Sequence, residues 1–422
     1  MAILEEPHEA AALSCPSQLT GEGLVEAQKA SNCASPIRAH MAILLATIGC
    51  FAPLYSVQAL FPAIADRFDA GVSFAAALVT VCTAGLAVFS PIAGRICAGV
   101  GVRRAVQFAI AGLIATNLAM SVVESASLLM LLRVMQGCLI PVGLAALLAS
   151  LGSLWRESGA VGLAATYTTG VVIGGLLGRF LPAALMAYGW SAAFIGFAVF
   201  QAALMIVALR LFPTDESGRV ISFEPLGAWL KSVWRVARDE VPTVAIGGFV
   251  LMATQVSITT FVSVRLAGPP FEWPPLALGA LYLVFVPSIA AVRVTPPAIQ
   301  RMGARKTLLV CALVMWASLA LTLWDSAWLI LVGITLFSAC VFVAQTVLAH
   351  ALSGAREENR ERASSGYLAA VYAGASVGAL APAASWQMWG WPGCLGTVAA
   401  IQFAGLILAL LSTKWSTEVS PL

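Results

Sequence analysis

Charged side chains are scarce in this 422-residue sequence. Asp, Glu, Lys and Arg together make up 10% of the residues, while hydrophobic residues make up 60%. A soluble globular domain carries about 25% charged residues, and a chain this poor in charge cannot cover a water-exposed surface. The composition therefore excludes an ordinary soluble protein and indicates a lipid bilayer as the main partner. The net charge is only +3 and dispersed, so no nucleic-acid partner is expected.

The motifs of membrane-embedded enzymes and of ATP-driven pumps are also missing. The three histidines (His8, His40 and His350) form no His-Glu-x-x-His pair, and no paired intramembrane Asp residues occur. No Gly-x-x-x-x-Gly-Lys-Ser/Thr loop is present to hold a nucleotide phosphate. The nine cysteines are scattered and include no Cys-x-x-Cys pair. We therefore expect no enzymatic activity, no metal site and no cofactor.

The amino terminus lacks the basic region and short apolar core of a signal peptide. It carries five glutamates among Ser, Pro and Gly residues instead. We predict that residues 1–38 form a disordered cytoplasmic tail. A second, shorter cytoplasmic tail is expected at residues 414–422.

What the sequence does contain is a series of twelve apolar stretches. Each is about 20 residues long, enough to cross a hydrocarbon core about 30 Å thick. The stretches are continuously apolar without period-two alternation, which excludes a β-barrel. The sequence therefore predicts an all-α membrane protein with 12 transmembrane helices. The stretches lie at residues 41–63, 72–94, 105–124, 128–150, 159–182, 190–211, 241–264, 276–295, 307–324, 327–349, 364–386 and 391–412.

The longest polar interruption divides these stretches into six and six. It occupies residues 212–240, which we interpret as a cytoplasmic linker between an N-terminal six-helix bundle (39–211) and a C-terminal six-helix bundle (241–413). The amphipathic, basic segment from Leu226 to Val236 indicates a helix on the cytoplasmic face of the membrane.

The two halves repeat each other. Three markers recur at offsets of about 201–204 residues, and an even number of helices between them implies that both halves have the same orientation. The corresponding pairs are Gly101-Val-Arg-Arg with Gly303-Ala-Arg-Lys, Gly170 and Gly174 with Gly374 and Gly378, and Tyr188-Gly-Trp190 with Trp389-Gly-Trp391.

Basic residues are concentrated on one side of the predicted helices. With the amino terminus inside, about 19 of the 23 Lys and Arg residues fall on cytoplasmic segments. This asymmetry predicts a multi-pass protein of the inner cell membrane with both termini in the cytoplasm.

The segments after the second and eighth stretches carry related motifs. They run from Gly94 to Arg104 and from Pro296 to Lys306, and we expect both to be loops. They resemble the major facilitator superfamily signature Gly-x-x-x-Asp-Arg/Lys-x-Gly-x-Arg-Arg/Lys, although Ala98 and Gln300 occupy the Asp position. The resemblance implies the major facilitator fold and transport by rocking of two bundles. In the alternative reading the basic residues only set topology. The resemblance makes these residues gating candidates: Gly101, Arg103, Arg104, Gly303 and Arg305.

Two arginines interrupt the apolar stretches. Arg133 lies about five residues inside the fourth stretch, where an unpaired charge is costly, and its Arg-x-x-Gln-Gly context with Gln136 resembles a family pattern connected with proton coupling. Arg179 ends the fifth stretch in Gly-Gly-Leu-Leu-Gly-Arg, which resembles bacterial efflux-type members. In the alternative interpretation either side chain extends to the lipid headgroups. No Asp or Glu lies in the middle of a stretch, and Asp66, at the outer end of the first, is a further coupling candidate.

Other polar and small residues within the stretches are candidates for the cavity or for helix packing. Gly170, Gly174 and Gly178 repeat every four residues and predict close helix packing on one face. Polar side chains in a membrane need partners across helices or in a wet cavity, and hydrogen bonding between helices is the alternative to solute contact. The cavity candidates are Tyr55, Gln58, Gln255, Thr259, Tyr282, Gln345 and Tyr372.

These features favour a monomeric secondary active transporter that moves a small solute, with protons as the coupling ion and efflux as the direction. One alternative is a uniporter or importer of an anionic or neutral polar solute, which two arginines without a deep carboxylate would suit. Another is a non-transporting membrane sensor built on the same fold.

Overall fold

The computed structural model describes residues 36–153, 160–212, 225–352, 356 and 359–411. Throughout these ranges the chain is helical with short turns, and they contain no β-strand. Nearly all of the predicted tail 1–38, all of the tail 414–422 and residues 213–224 of the predicted linker lie outside the described residues.

The first half begins with a span that is not one continuous helix. Two 3₁₀ turns, Ala52–Tyr55 and Gln58–Leu60, separate its first two α-helices. Pro53 removes a backbone donor at the first break, and Pro62 sits in the first turn of the second helix, where its missing N–H costs nothing. The α-helices of this half are α1 (Pro36–Phe51), α2 (Phe61–Arg67), α3 (Val72–Val100), α4 (Val102–Ser121), α5 (Ala126–Ser153), α6 (Ala160–Leu185) and α7 (Trp190–Leu211).

The second half is preceded by an amphipathic helix and also contains a broken span. The amphipathic helix is α8 (Leu226–Asp239). The α-helices of the second half are α9 (Pro242–Ala267), α10 (Pro275–Ala280), α11 (Phe285–Ala291), α12 (Thr295–Met302), α13 (Ala304–Leu321), α14 (Ala327–Leu352) and α15 (Arg360–Leu411). The 3₁₀ turns Leu281–Val284 and Val292–Val294 join α10 to α12. Gly390 interrupts α15 with non-helical dihedral angles, so α15 consists of two helical segments.

Within the described ranges, nine helical stretches are long and apolar enough to cross a membrane. One of them, Arg362–Leu408, covers 47 residues and contains two of the predicted stretches. The segment Pro275–Ser288 is apolar but shorter, and α4, with Arg103 and Arg104 in its first turn, is not among the nine. The all-α membrane architecture is confirmed, whereas the count of twelve crossings stays a prediction.

Three local expectations were wrong. The stretch 41–63 changes from α-helix to two 3₁₀ turns within residues 52–60, and the stretch 276–295 is divided into short helices. The signature segments are not loops, because α3 continues to Val100 and α12 to Met302, and only Gly101 and Gly303 break the helices. These glycines have φ angles of 90° and 78°, which side chains other than glycine rarely adopt.

The internal repeat is visible in backbone geometry and in hydrogen bonds. Trp190 donates its ring N–H to the Met120 carbonyl at 2.8 Å, and Trp391 donates to the Thr322 carbonyl at 2.9 Å. Each tryptophan follows a glycine with positive φ, Gly189 or Gly390. The two halves therefore close the same helix ends in the same way, as the sequence repeat predicted.

The glycine repeat, however, aligns one turn away from the predicted pairing. A Cβ at Gly178 would lie 2.0 Å from the Ala52 carbonyl oxygen, and one at Gly378 would lie 2.0 Å from the Ala253 carbonyl oxygen. Gly174 approaches Ile48, one turn earlier, just as Gly374 approaches Phe249. The packing thus pairs Gly174 and Gly178 with Gly374 and Gly378, because the backbone contact and not the sequence spacing defines equivalence.

Candidate functional site

Arg133 is fully buried inside the first half. Its guanidinium donates to the carbonyl of Leu78 on α3 at 3.1 Å and to those of Pro53 and Leu54 at 2.8 and 2.5 Å. The latter two carbonyls belong to the first 3₁₀ break, where the α-helical hydrogen-bond pattern is lost. Arg133 therefore does not extend to the headgroups, and it holds the 3₁₀ segment of the first span against α3 and α5.

A chain of buried amides continues from this arginine. Gln136 accepts from Arg133 at 2.5 Å and donates to Asn117 on α4 at 2.9 Å. Asn117 in turn donates to Gln201 on α7, which donates to the Gly49 carbonyl on α1. This polar network joins five helices of the first half, and within the described residues it contains no carboxylate.

Arg179 lies near the end of α6, and only 4% of it is exposed. Its Nε donates to Gln58 Oε1 at 2.7 Å, and its Nη1 donates to the Gly175 carbonyl at 2.8 Å. Its guanidinium carbon lies 3.9 Å from the centre of the Tyr55 ring. The arginine is thus held by residues of α6 and by the 3₁₀ segment of the first span.

The same guanidinium also faces the second half. The ring centres of Tyr282 and Phe285 lie 4.5 and 5.4 Å from its central carbon. Gln58, which accepts from Arg179, donates across the boundary to Thr260 of α9 at 2.7 Å. One charge with its neighbours therefore joins elements of both halves, and we call Arg179, Tyr55, Gln58, Thr260 and Tyr282 the boundary cluster.

Neighbouring hydroxyls fix the second-half side of the boundary cluster. Tyr282 donates to the Thr259 carbonyl at 2.9 Å, and its oxygen lies 2.7 Å from Ser263 Oγ. The Thr259 hydroxyl is 3.3 Å from Gln58 Nε2. These bonds orient the Tyr282 ring towards the guanidinium, an arrangement in which π electrons partly replace a counter-charge.

A second contact between the halves joins α3 and α15. Ser376 Oγ donates to Thr83 Oγ1 at 2.9 Å, and Gln387 Nε2 donates to Ser73 Oγ at 2.8 Å. Gln387 and Ser73 lie at the same end of the molecule as Arg179, namely the end that carries the turn before α3. The halves are therefore in contact with each other at this end.

The sequence matches the family model described as Major Facilitator Superfamily over residues 43–298. The chain belongs to the Major Facilitator Superfamily. The match covers more than half of the chain and includes Arg133 and the whole boundary cluster.

Three curated relatives are transporters. An uncharacterized transporter of Buchnera aphidicola subsp. Baizongia pistaciae is 26% identical over 248 residues, which are 58% of this chain and 61% of that protein. Another, from Buchnera aphidicola subsp. Schizaphis graminum, is 21% identical and covers 89% of this chain and 91% of its own length. The uncharacterized MFS-type transporter YybF of Bacillus subtilis is 25% identical, with coverage of 88% and 91%.

Solved structures of the family show the same fold. A variant of the nucleoside transporter NupG superposes with a TM-score of 0.69 at 14% identity, over 88% of this chain and 99% of that one. The human organic anion transporter MFSD10 (TETRAN) gives a TM-score of 0.59 at 14% identity, over 90% and 99%. The family match and the curated relatives show a multi-span membrane transporter of the Major Facilitator Superfamily, and the solved structures show that the chain has the same fold.

The structure brings together some of the predicted site residues of this transporter and leaves others apart. Four cavity candidates, Tyr55, Gln58, Thr259 and Tyr282, meet at Arg179. Gln255 is buried elsewhere in the second half, where it donates to Ser338 Oγ at 3.1 Å. The remaining two cavity candidates are half-buried on α14 and α15, and they are Gln345 and Tyr372.

The motif residues of the family lie at helix ends away from Arg179. Arg103 is half-buried and donates to the Leu209 carbonyl of α7 at 3.3 Å. Arg104 and Arg305 are exposed in the first turns of α4 and α13, and Asp66 is exposed on α2. Their predicted roles in gating or coupling stay predictions.

Several residues of the two polar networks were missed from the sequence. Asn117, Gln201, Ser263 and Phe285 were not predicted as site residues. Asn117 and Gln201 are amides within apolar stretches, and Ser263 follows Thr259 by one helical turn, so the polar face of α9 was a usable signal. Phe285 carried none, because an aromatic residue in an apolar stretch is ordinary. Among the described residues no cluster of three His, Cys, Asp or Glu side chains could hold a metal ion.

Proposed function

We propose that this chain is a secondary active transporter that exports a small solute by rocking of two six-helix bundles, driven by the proton gradient. The boundary cluster carries the proposal. It joins the halves through hydrogen bonds and ring contacts of Arg179, Gln58, Thr260 and Tyr282. Such contacts are individually modest, so they can break and re-form as the bundles move. A gate of this kind gives access from one side at a time.

In this mechanism the first half moves as one body. The network around Arg133 and Gln136 connects the 3₁₀ segment of the first span to α3, α4 and α7 by hydrogen bonds. Arg179 and Gln58 therefore travel together, whereas Thr260 and Tyr282 belong to the second half. Opening breaks the bond from Gln58 to Thr260 and leaves the bond from Arg179 to Gln58 intact.

The direction and the coupling ion rest on sequence resemblance. The Gly-Gly-Leu-Leu-Gly-Arg ending at Arg179 resembles efflux-type members, and the Arg133 and Gln136 pattern resembles antiporters that use protons. We assign gating roles to the motif residues at the helix ends, and these are Gly101, Arg103, Arg104, Gly303 and Arg305. Asp66 remains a candidate proton carrier.

We further propose twelve crossings in the inner membrane of the cell, with a monomeric protein and both termini in the cytoplasm. The asymmetry of the basic residues supports this topology. Cysteine labelling from either side of intact cells should place both termini and the loop 212–240 in the cytoplasm. A periplasmic assignment of that loop would require an odd number of crossings in the first half and would overturn the two-bundle arrangement.

A flux assay tests transport and coupling together. The full chain is reconstituted into liposomes, and the uptake of radiolabelled benzoate, uridine and tetraphenylphosphonium is followed with and without an imposed pH gradient. These probes represent an anion, a neutral polar solute and a lipophilic cation. Accumulation of one probe against its own gradient, abolished by a protonophore and absent from protein-free liposomes, is the expected result.

A uniporter or importer of an anionic or neutral polar solute is the second candidate. It is favoured by the burial of Arg179 between the halves among neutral partners, which would suit an anion. The names of the two fold relatives refer to nucleoside and organic anion transport. Flux that equilibrates a probe without accumulation, at the same rate with or without the pH gradient, would establish a uniporter and overturn proton coupling.

A further inference from the structure

The two buried arginines are compensated in different ways. Hydrogen bonds match four of the five N–H donors of Arg133, with three carbonyls and Gln136 Oε1 as acceptors. At Arg179, Gln58 Oε1 and the Gly175 carbonyl accept from Nε and Nη1, and the hydroxyl of Tyr282, a residue of the second half, is a further hydrogen-bond partner. The donors of Arg133 are therefore used almost entirely within the protein, whereas the guanidinium fork of Arg179 can donate to a bidentate partner.

No carboxylate of the described residues forms an ion pair with Arg179. In the ion pairs Arg238 with Asp239 and Arg265 with Asp325, the carboxylate is well exposed and lies near a helix end. A cation that is 96% buried without an opposite charge is costly, and ring faces repay only part of that cost. The site would gain free energy by taking in a negative charge.

The surroundings of Arg179 describe the rest of such a ligand. The rings of Tyr55, Tyr282 and Phe285 face the guanidinium at 3.9, 4.5 and 5.4 Å. They offer flat apolar surface to a planar ligand body. One guanidinium provides one compensating charge, so the fitting ligand carries a single carboxylate on a flat apolar group.

We propose that Arg179 is the solute-binding residue of this protein and that the solutes are small aromatic or apolar monocarboxylates. This inference rests on the proposed function, because the carboxylate reaches the fork when the halves part at this end. Tyr282 and Phe285 then leave with the second half, while Tyr55 and Gln58 stay beside Arg179. The carboxylate takes two guanidinium donors, and the flat body lies against Tyr55.

Binding of matched probes tests this inference directly. Benzoate, neutral benzamide and cationic benzylammonium are titrated into the purified full chain by isothermal calorimetry. Benzoate should bind at least about tenfold more tightly than benzamide, the factor expected for one charge-assisted hydrogen bond. Benzylammonium should not bind. Equal affinity for benzoate and benzamide, or no binding of benzoate at millimolar concentration, would overturn the proposal.

Two substitutions assign the effect to Arg179. In Arg179→Gln the preference for benzoate over benzamide should vanish, and in Arg179→Lys, which keeps the charge but loses the fork, it should be reduced but present. Arg265→Gln is the matched control, because Arg265 also faces rings, those of Phe271 and Trp391, but pairs with Asp325. Loss of the preference in Arg265→Gln but not in Arg179→Gln would refute the assignment. The lysine variant decides the question if the glutamine variant does not fold.

The same probes separate this inference from the proposed function. Uridine flux driven by the pH gradient, without benzoate binding, would remove the monocarboxylate site and leave transport standing. Benzoate binding that depends on Arg179, without flux of any probe, would remove transport and leave an anion sensor.

Discussion

At the scale of single residues, burial of a positive charge has two different solutions in this protein. Arg133 uses the carbonyls of Pro53 and Leu54, which lie in a 3₁₀ break. Arg179 uses mainly aromatic faces at the boundary between the halves. The first solution is rigid, because carbonyl acceptors have fixed positions. The second tolerates movement, because a ring face attracts a cation over a range of distances up to about 6 Å.

The first prediction concerns the replacement of Arg133 by lysine. An ammonium group has three donors at one point and cannot reach the carbonyls of Leu78, Pro53 and Leu54 together. We expect Arg133→Lys to lower the free energy of unfolding by about 2–4 kcal/mol and to abolish gradient-dependent flux. Thermal unfolding of the purified protein and the flux assay measure both effects. Arg210→Lys, at an exposed position in the last turn of α7, is the control, and normal coupled flux in Arg133→Lys would mean that the network is not needed for coupling.

The second prediction concerns the contact of Gly178 with the first span. A methyl group there would lie 2.0 Å from the Ala52 carbonyl oxygen, so α6 must move away. Gly178→Ala should therefore cost about 1–3 kcal/mol of stability. The matched control is Gly396→Ala, because Gly396 is helical and has open space around its Cβ position. Equal melting temperatures for the two variants would show that α6 and the first span are not in close contact.

Graded substitutions at Gly174 extend this test. Its Cβ position is 3.2 Å from the Ile48 backbone, a tight contact that small shifts can relieve. Alanine should be tolerated there, whereas Gly174→Leu should abolish transport while leaving membrane insertion intact. Normal transport by the leucine variant would contradict the packing.

At the scale of helices, the sequence predicted where the apolar stretches lie but not where the α-helix is interrupted by 3₁₀ turns. Each predicted stretch within the described ranges overlaps a helix, because about 20 apolar residues in lipid have to satisfy their own backbone bonds. Proline positions 53, 62 and 287 were visible in the sequence. Proline is tolerated within membrane helices, however, so its presence alone did not predict the 3₁₀ turns at residues 52–60. The carbonyls of Pro53 and Leu54 accept hydrogen bonds from Arg133 there, and this tertiary contact is not visible in the sequence.

The third prediction concerns α8 as a membrane-surface helix. Val233 and Val236 face the bundle, and Trp229 donates to the Pro91 carbonyl. The opposite side exposes an apolar row next to a basic row, and these are Leu226, Leu230 and Trp234 beside Lys231, Arg235 and Arg238. This pattern suits an interface with anionic headgroups.

We therefore expect anionic lipid to stabilise the protein through α8. The melting temperature in nanodiscs with about one third phosphatidylglycerol should exceed that in phosphatidylcholine alone, since each basic residue near such a surface contributes about 1 kcal/mol. Lys231→Gln with Arg235→Gln should remove most of the difference. Arg301→Gln with Arg305→Gln, on exposed residues of another segment, is the control. A lipid effect that survives the α8 changes would place α8 away from the bilayer surface.

At the scale of the whole molecule, the sequence predicted most members of the boundary cluster as site residues but did not predict that they contact one another. Tyr55, Gln58 and Tyr282 of the cluster, and the neighbouring Thr259, were recognised because polar groups within apolar stretches need partners. Their convergence on Arg179 joins residues that are far apart in the sequence, such as Gln58 and Thr260, which are separated by 202 positions. It depends on how the two halves pack against each other, and the sequence repeat predicts the symmetry of that packing but not the conformation.

The fourth prediction tests closure between the halves. Ser73 and Gln387 are hydrogen-bonded across the boundary, so Ser73→Cys with Gln387→Cys should be joined by a short bis-methanethiosulfonate reagent, which spans the length of the lost glutamine side chain, and flux should stop. Reduction with dithiothreitol should restore flux. Each single variant serves as a control for the native cysteines. Full flux in a protein shown by mass spectrometry to carry the cross-link would mean that the halves do not separate at this end during transport.

The placement of both fully buried arginines in one half has an electrical consequence. Among the described residues, Arg133 and Arg179 are the fully enclosed cations, and both belong to the first half. A tilt of that half displaces two positive charges within the membrane field, where a full crossing is worth about 2.3 kcal/mol per charge at 100 mV. The empty protein should therefore settle into different states at different voltages. A bound carboxylate cancels one of the two charges and halves this sensitivity, so the membrane potential would act most strongly on the return of the unloaded protein.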